Sequence, residues 1–186
     1  LGGLCLVLVM ILMGTGLLML LAYQPLPELA YGSVQTLENQ FVFGRMIRSM
    51  HYFAANLLVI LMFCHVLRVF FTGGYQGKRR VNWIIGVCVL SLVLLSCFTG
   101  YLLPWDQTAF WAVTICINMF DYVPGGSFLK GLVITPDGVS TKTLQVFFTL
   151  HTSLIPAVLI LFLATHFWKI RRARGVVIPG QNLLEK

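Results

Sequence analysis

Four long apolar runs alternate with shorter polar stretches along the chain. They cover about 1–23, 49–72, 82–103 and 144–170, and stop at Pro25, Gly73-Gly74, Pro104 and the basic cluster Arg171, Arg172, Arg174. A bilayer core about 30 Å thick takes roughly 20 apolar residues at 1.5 Å per residue, so each run is long enough to cross as a helix. The first run lacks a charged leader and a small-residue cleavage site, so it reads as a span and not as a signal peptide. Between spans three and four, residues 104–143 are too apolar for plain loop. Phe110, Val113, Ile117 and Phe120 fall near helical spacing, which predicts a helix over Thr108–Tyr122 lying on the membrane surface or covering a cavity there. Gly125-Gly126 and Pro136-Asp137-Gly138 then read as turns. The pattern predicts an all-α membrane protein, a four-helix transmembrane bundle with one surface helix, forming a single domain over 1–186.

Composition agrees. The 186 residues are 58% hydrophobic and 10% charged, with a mean hydropathy of +0.87. A soluble domain is about 25% charged, so a water-solvated globule is excluded. The net charge of +7 does not point to nucleic acid, because the basic residues gather at span ends. Arg68, Lys78, Arg79, Arg80, Lys169, Arg171, Arg172, Arg174 and Lys186 lie on one side; only Arg45, Arg48, Lys130 and Lys142 lie on the other. This asymmetry puts both termini and the second loop in the cytoplasm. Trp83 and Trp168 then fall at the inner interface, and Trp105 and Trp111 at the outer one. Five cysteines form no CxxC or CxxCH, and at least four are expected to be buried in spans, which argues against a disulfide frame, a zinc ribbon or an attached c-type haem.

All four histidines lie in two spans, His51 and His65 in the second, His151 and His166 in the fourth. Their spacings of 14 and 15 residues are close to the roughly 14.4 residues of four helical turns, so each helix carries two imidazoles on one face, about 21–22 Å apart. Spans two and four run parallel, so His51 meets His151 at the outer level and His65 meets His166 at the inner one. Facing imidazoles suit a flat cofactor taking one axial ligand from each side, as haem iron does. A shared zinc ion is excluded by the separation of the pairs. A single histidine in a span is as readily a hydrogen-bonded one; two matched pairs make that reading unattractive. Glycines repeat the ruler: Gly2 and Gly16, and Gly86 and Gly100, are also 14 apart. They would clear space for porphyrin where a Cβ would intrude; helix-packing glycines are usually four apart. Arg48 and Arg68, three residues from His51 and His65, are placed for haem propionates, with interface snorkelling as the plainer role.

These segments carry a family resemblance. Ile47-Arg48-Ser49-Met50-His51, His65-Val66-Leu67-Arg68-Val69, Thr72-Gly73-Gly74, Thr99-Gly100-Tyr101-Leu102-Leu103-Pro104-Trp105-Asp106-Gln107, Leu150-His151-Thr152 and Pro156 resemble the N-terminal, di-haem half of cytochrome b from quinol-oxidising cytochrome bc and b6f complexes. The spacing of 15 in span four is similar to the b6 form. The resemblance implies two haem b: an outer, low-potential one on His51 and His151, and an inner, high-potential one on His65 and His166. It implies quinol oxidation at an outer site walled by Tyr101, Pro104, Trp105 and Asp106, quinone reduction at an inner site near Arg171, and proton translocation. Implied partners are a Rieske iron–sulfur protein, a c-type cytochrome, lipid, and the C-terminal cytochrome b half in a dimeric complex in a bacterial inner membrane. The glutamate motif Pro-Glu-Trp-Tyr of that other half is absent, so no catalytic residue is assigned to this chain alone. The family's Ile-Pro-x-Ile-Gly reads Val123-Pro124-Gly125-Gly126 here. A cysteine carrying a third haem would precede Leu1, and Cys5 is not its counterpart, so a third haem stays open. Two alternatives also stay open: a quinone-reactive di-haem anchor of a non-Rieske respiratory complex, and a transporter using histidines as proton relays. A neighbouring Rieske gene separates the first, a b-type absorbance spectrum the second.

Overall fold

The computed structural model describes residues 1–135, 138–173 and 175. The four apolar runs form helices α1 (Gly2–Met19), α3 (Gly44–Phe71) and α4 (Arg80–Tyr101), and a fourth long helix in two parts, α7 (Thr141–Thr149) and α8 (Ile155–Arg172). The α7–α8 junction, Leu150–Leu154, is a π-helical turn. These four are long and apolar enough to cross a membrane. The spans differ from expectation mainly at their ends. Span one ends at Met19 and not Tyr23, and span two starts at Gly44, taking Arg45 and Arg48 into its first turns.

Helix α2 (Pro27–Gln40) was not foreseen. Pro27 stands at its first positions, where a missing N–H costs nothing, and Glu28 favours the positive end of the helix dipole. Ala30, Ser33, Val34 and Leu37 form its buried face. The corner into α3 is tight: a Cβ on Gly44 would collide with the Leu37 carbonyl.

The predicted surface helix is present as α5 (Gln107–Met119), extended by a 3₁₀ turn over Phe120–Tyr122. Its buried face is Ala109, Val113 and Ile117; Phe110, expected inward, is exposed. The period was right and the phase one residue off at Phe110. A further helix, α6 (Gly126–Val133), follows directly on Gly125, whose φ of 78° only glycine adopts freely. So Gly125-Gly126 turns, as expected, but into a helix. Gly138, at φ 100°, bridges to Thr135; Pro136, Asp137, Arg174 and the tail 176–186 lie outside the described residues.

Helix α1 packs along α3, and α4 along α8. The central core is Cys5 and Val9 of α1, Leu58 and Met62 of α3, Val89 and Val93 of α4, and Leu159 of α8. A second cluster, Leu102, Ala109, Val113, Ile117 and Phe147, seats α5 on the ends of α4 and α7. Tyr23 Oη donates to the Leu103 carbonyl at 2.7 Å and its ring stacks on Phe148 at 5.6 Å, tying the α1–α2 connection to this end. Burial pushes the Tyr23 hydroxyl above its ordinary pKa, so it remains a donor. At the opposite end Arg79 donates to the carbonyls of Ala173 and Gly175, both at 2.7 Å, joining the two basic segments. The expectation of buried cysteines holds only for Cys5. Cys64 is exposed, Cys88 and Cys97 are half-buried, and Cys116 is half-buried on α5. An apolar bundle face needs lipid or a partner, not protein, to cover a small thiol.

Candidate functional site: two levels of paired histidines

The bundle brings the four histidines together in two pairs. His51 and His151 lie 6.3 Å apart between ring centroids, edge to face. His65 and His166 line a single cavity of about 350 Å³ at the other end. Its wall is mostly apolar, with Gly2, Gly86, Arg68 and Asn82 among the lining residues. The Nδ1 atoms of His65 and His166 are buried with no hydrogen-bond partner among the described residues. Unpaired buried nitrogens are costly unless something else occupies the space.

The π turn explains the unequal spacing. Each α-helical residue turns the chain by 100°, so 14 residues fall about 40° short of four turns and 15 overshoot by about 60°. In the π turn Ile155 N–H bonds the Leu150 carbonyl, five residues back, which absorbs one residue. His151 and His166 therefore share the same register as His51 and His65. Pro156 accounts for the irregularity: it has no N–H, and its ring clashes with the preceding turn of a regular helix.

The four glycines meet the imidazoles directly. A Cβ on Gly2 would lie 3.2 Å from His65 Cε1, on Gly16 3.4 Å from His51 Cε1, on Gly86 3.3 Å from His166 Cε1, and on Gly100 2.5 Å from His151 Cε1. Helices α1 and α3 are thus antiparallel partners, as are α4 and α8, with one glycine backing each histidine. The sequence placed these glycines against porphyrin; the nearest atoms here are imidazole edges. The gap between levels is sealed by one buried residue on each helix, Val9, Leu58, Val93 and Leu159, each seven or eight positions from the flanking glycine or histidine.

The remaining site residues divide. Arg68 lines the inner cavity with His65 and His166. Arg48 instead forms an ion pair with Glu38 of α2, a partner hidden from sequence reading because α2 was hidden. Asp106 caps α5, accepting from Ala109 N–H at 2.8 Å. Trp105 sits beside it in the left-handed region, at φ 53°, its ring edge-on to Phe110 at 6.4 Å. A bulky residue there is strained, as residues at working sites often are. Pro104 is half-buried and Tyr101 exposed. Arg171 is exposed on the last turn of α8 and lines neither cavity. Its neighbour Arg172 stacks on Trp168 at 4.9 Å and, with Lys78, Arg79 and Lys169, lines a pocket of about 190 Å³. Sequence reading counted Arg79 only as one of the charges that set the orientation; its bonds to the Ala173 and Gly175 carbonyls were not legible there.

Four helices of membrane-spanning length, with histidines facing one another at two internal levels, define a membrane bundle. The chain belongs to the cytochrome b family: the family model described as cytochrome b/b6/petB matches residues 1–174. Cytochrome b6 of Heliobacterium mobile is 41% identical over 180 residues, covering 96% of this chain and 84% of that protein. The menaquinol:cytochrome c reductase cytochrome b subunit of Geobacillus thermodenitrificans is 38% identical over 180 residues, covering 96% and 80%. Among solved structures, a chain of a hyperthermophilic respiratory Complex III superposes with a TM-score of 0.83 at 24% identity. The match covers 100% of this chain and 51% of that one, so this chain spans about half its length. Membership of the family implies haem b, and the apolar cavity and the glycine-backed imidazoles suit it.

Proposed function

We infer that this chain is the cytochrome b subunit of a quinol-oxidising complex of the bc/b6f class, an oxidoreductase complex in which it carries electrons between quinone sites at the two membrane faces. One observation supports this above the rest: two histidine pairs at two levels, each imidazole backed by a glycine of the neighbouring helix. His51 and His151 hold an outer haem b of lower potential, and His65 and His166 an inner haem b of higher potential. When bound, the haems supply one-electron relays. The chain's residues fix where those relays sit, keep them dry, and set their surroundings. Arg68, which lines the inner cavity, and Arg48, which pairs with Glu38, would be the cations available to haem propionates.

Tyr101, Pro104, Trp105, Asp106 and α5 form one wall of the quinol-oxidation site. Its protein partners are the C-terminal cytochrome b half bearing Pro-Glu-Trp-Tyr, a Rieske protein and a c-type cytochrome, in a dimeric assembly. Quinone is reduced at the opposite face, near Arg171. The basic residues gathered at that face support a cytoplasmic placement for it, in a bacterial inner membrane. Proton release outside and uptake inside couple the cycle to a gradient.

The test is a potentiometric titration of the purified complex followed by reduced-minus-oxidised spectra. Two b-type components are expected. His65→Ala and His166→Ala should erase the same, higher-potential component, and His51→Ala and His151→Ala the other. A stable His65→Ala protein lacking the same component as stable His151→Ala defeats the pairing.

A further inference from the structure

The two helices without histidine carry the same dipeptide at the outer level: Thr15-Gly16 in α1 and Thr99-Gly100 in α4. In each, the glycine backs an imidazole and the preceding threonine reaches its Nδ1. Thr15 Oγ1 lies 2.9 Å from His51 Nδ1 and 2.7 Å from the Ile11 carbonyl. Its one proton goes to that carbonyl, which can only accept, so the hydroxyl accepts from Nδ1–H. His151 Nδ1 lies 3.0 Å from the Ser96 carbonyl and 3.3 Å from Thr99 Oγ1, whose own proton goes to the Leu95 carbonyl at 2.9 Å. In both outer histidines Nδ1 therefore carries the proton, and Nε2 keeps its lone pair for a metal. Threonines in membrane helices commonly bond only their own preceding turn, as Thr72, Thr149 and Thr165 do. Thr15 and Thr99 differ in being buried, at 7% and 0% exposure, and in making the second contact.

At the inner level no hydroxyl stands at the matching positions and, among the described residues, no side chain bonds an Nδ1; the buried Asn82 Oδ1 lines the same cavity unpaired. The residues preceding Gly2 and Gly86 are Leu1 and Ile85, which offer no hydrogen-bonding group. A hydrogen bond accepted from Nδ1–H makes a ligating imidazole more electron-donating, which favours ferric iron and lowers the potential. We propose that Thr15 and Thr99 are positioning residues that fix the Nδ1–H tautomer of the outer histidine pair and set the outer haem at a lower potential than the inner one. The inference rests on the haem reading above.

The experiment is a redox titration of the assembled complex, read optically and by electron paramagnetic resonance, for Thr15→Val, Thr99→Val, Thr15→Ser and Ile85→Thr. Thr15→Val should shift the outer reduction equilibrium toward the reduced form by about tenfold, ~59 mV for one electron, with the inner component unmoved. Thr99→Val should move it the same way but less, since the Ser96 carbonyl remains on His151. Thr15→Ser, which keeps the hydroxyl, should stay near the parent value. Ile85→Thr, which puts a hydroxyl beside His166, should lower the inner potential. If Thr15→Val loses its outer haem, the Ser variant and Ile85→Thr decide, and an unmoved inner potential in Ile85→Thr then overturns the proposal. Two intact components that ignore the hydroxyls in both Val variants also overturn it. A parent complex without two b-type components defeats the haem reading itself, a separate result.

Discussion

Removing one residue from the fourth long helix should spare or destroy the inner site according to which residue is removed. The π turn Leu150–Leu154 holds one residue more than an α-helix needs between His151 and His166. Deleting exposed Ser153 converts that turn to regular helix and leaves the azimuth of His166 as it is. Deleting Leu161, within regular α8 and also exposed, turns everything after it by about 100° and draws it in by about 1.5 Å. An imidazole carried roughly 5–6 Å from the helix axis then travels about 8 Å. That takes His166 away from Gly86 and out of the cavity it shares with His65. Regularising the turn has its own cost, because Pro156 would then sit in a helix without the slack it now has; a proline in a helix interior costs about 3 kcal/mol. The clean comparison is therefore Ser153 deletion combined with Pro156→Ala, against Leu161 deletion alone. Purified complexes would be titrated for their two b-type components, with thermal unfolding as a check on stability. The Ser153 deletion with Pro156→Ala should keep both components. The Leu161 deletion should keep the outer one and lose the inner. Retention of the inner component after Leu161 deletion, or its loss in the Ser153 variant at normal stability, would refute the register argument.

Other outcomes follow from the same geometry. Gly100→Ala should already disturb the outer component, since its Cβ would lie 2.5 Å from His151, whereas Gly86→Ala, at 3.3 Å from His166, should be mild; the leucine variants should displace the outer and inner haems respectively, read by their spectra. Tyr23→Phe should lower stability by about 0.5–1.5 kcal/mol through loss of its bond to Leu103, measured by thermal unfolding of the complex. Leu58→Ala should cost about 2–5 kcal/mol by opening a cavity in the central core. Cysteines introduced at Lys78 and Arg171 should label from the cytoplasm and one at Asp121 from outside; reversed labelling would exchange the two quinone faces.

What could be read from the residues was whatever repeats at whole helical turns. Histidines and glycines at 14- and 15-residue intervals fix their own faces and levels before any packing is known; the structure brings the histidines together at two levels and sets the glycines against the imidazoles. The features that escaped are of another kind. Helix α2 is polar overall, and its buried positions Ala30, Ser33, Val34 and Leu37 include two small residues, so periodicity is faint; the signal was Pro27 followed by Glu28. Arg48 was read as available because the sequence does not show that Glu38 lies beside it. In α5 the small Ala109 is buried and the large Phe110 exposed, an inversion that hydrophobic ranking gets backwards at a surface meant to meet lipid or a partner. The π turn depends on where hydrogen bonds go, which composition does not record; its traces were Pro156, five residues after His151, and the 15-residue spacing of His151 and His166.

A chain that passes electrons across a membrane has to stop protons and ions at the same place, and the bundle separates those demands by level. The imidazoles occupy two planes about 21–22 Å apart along their helices. Halfway between them lie Val9, Leu58, Val93 and Leu159, one from each long helix, all buried and all without a polar side-chain atom. A charge entering that layer would meet the high cost of an unpaired ion in hydrocarbon, whereas an electron needs no solvating group to cross it. The layer is also where the two helix pairs hold each other, since most of the other buried core residues, Cys5, Met62 and Val89, adjoin it on the inner side. Insulation and cohesion thus fall on the same apolar residues. That leaves α1 and α4 free to shape each histidine level with only a glycine and the residue before it.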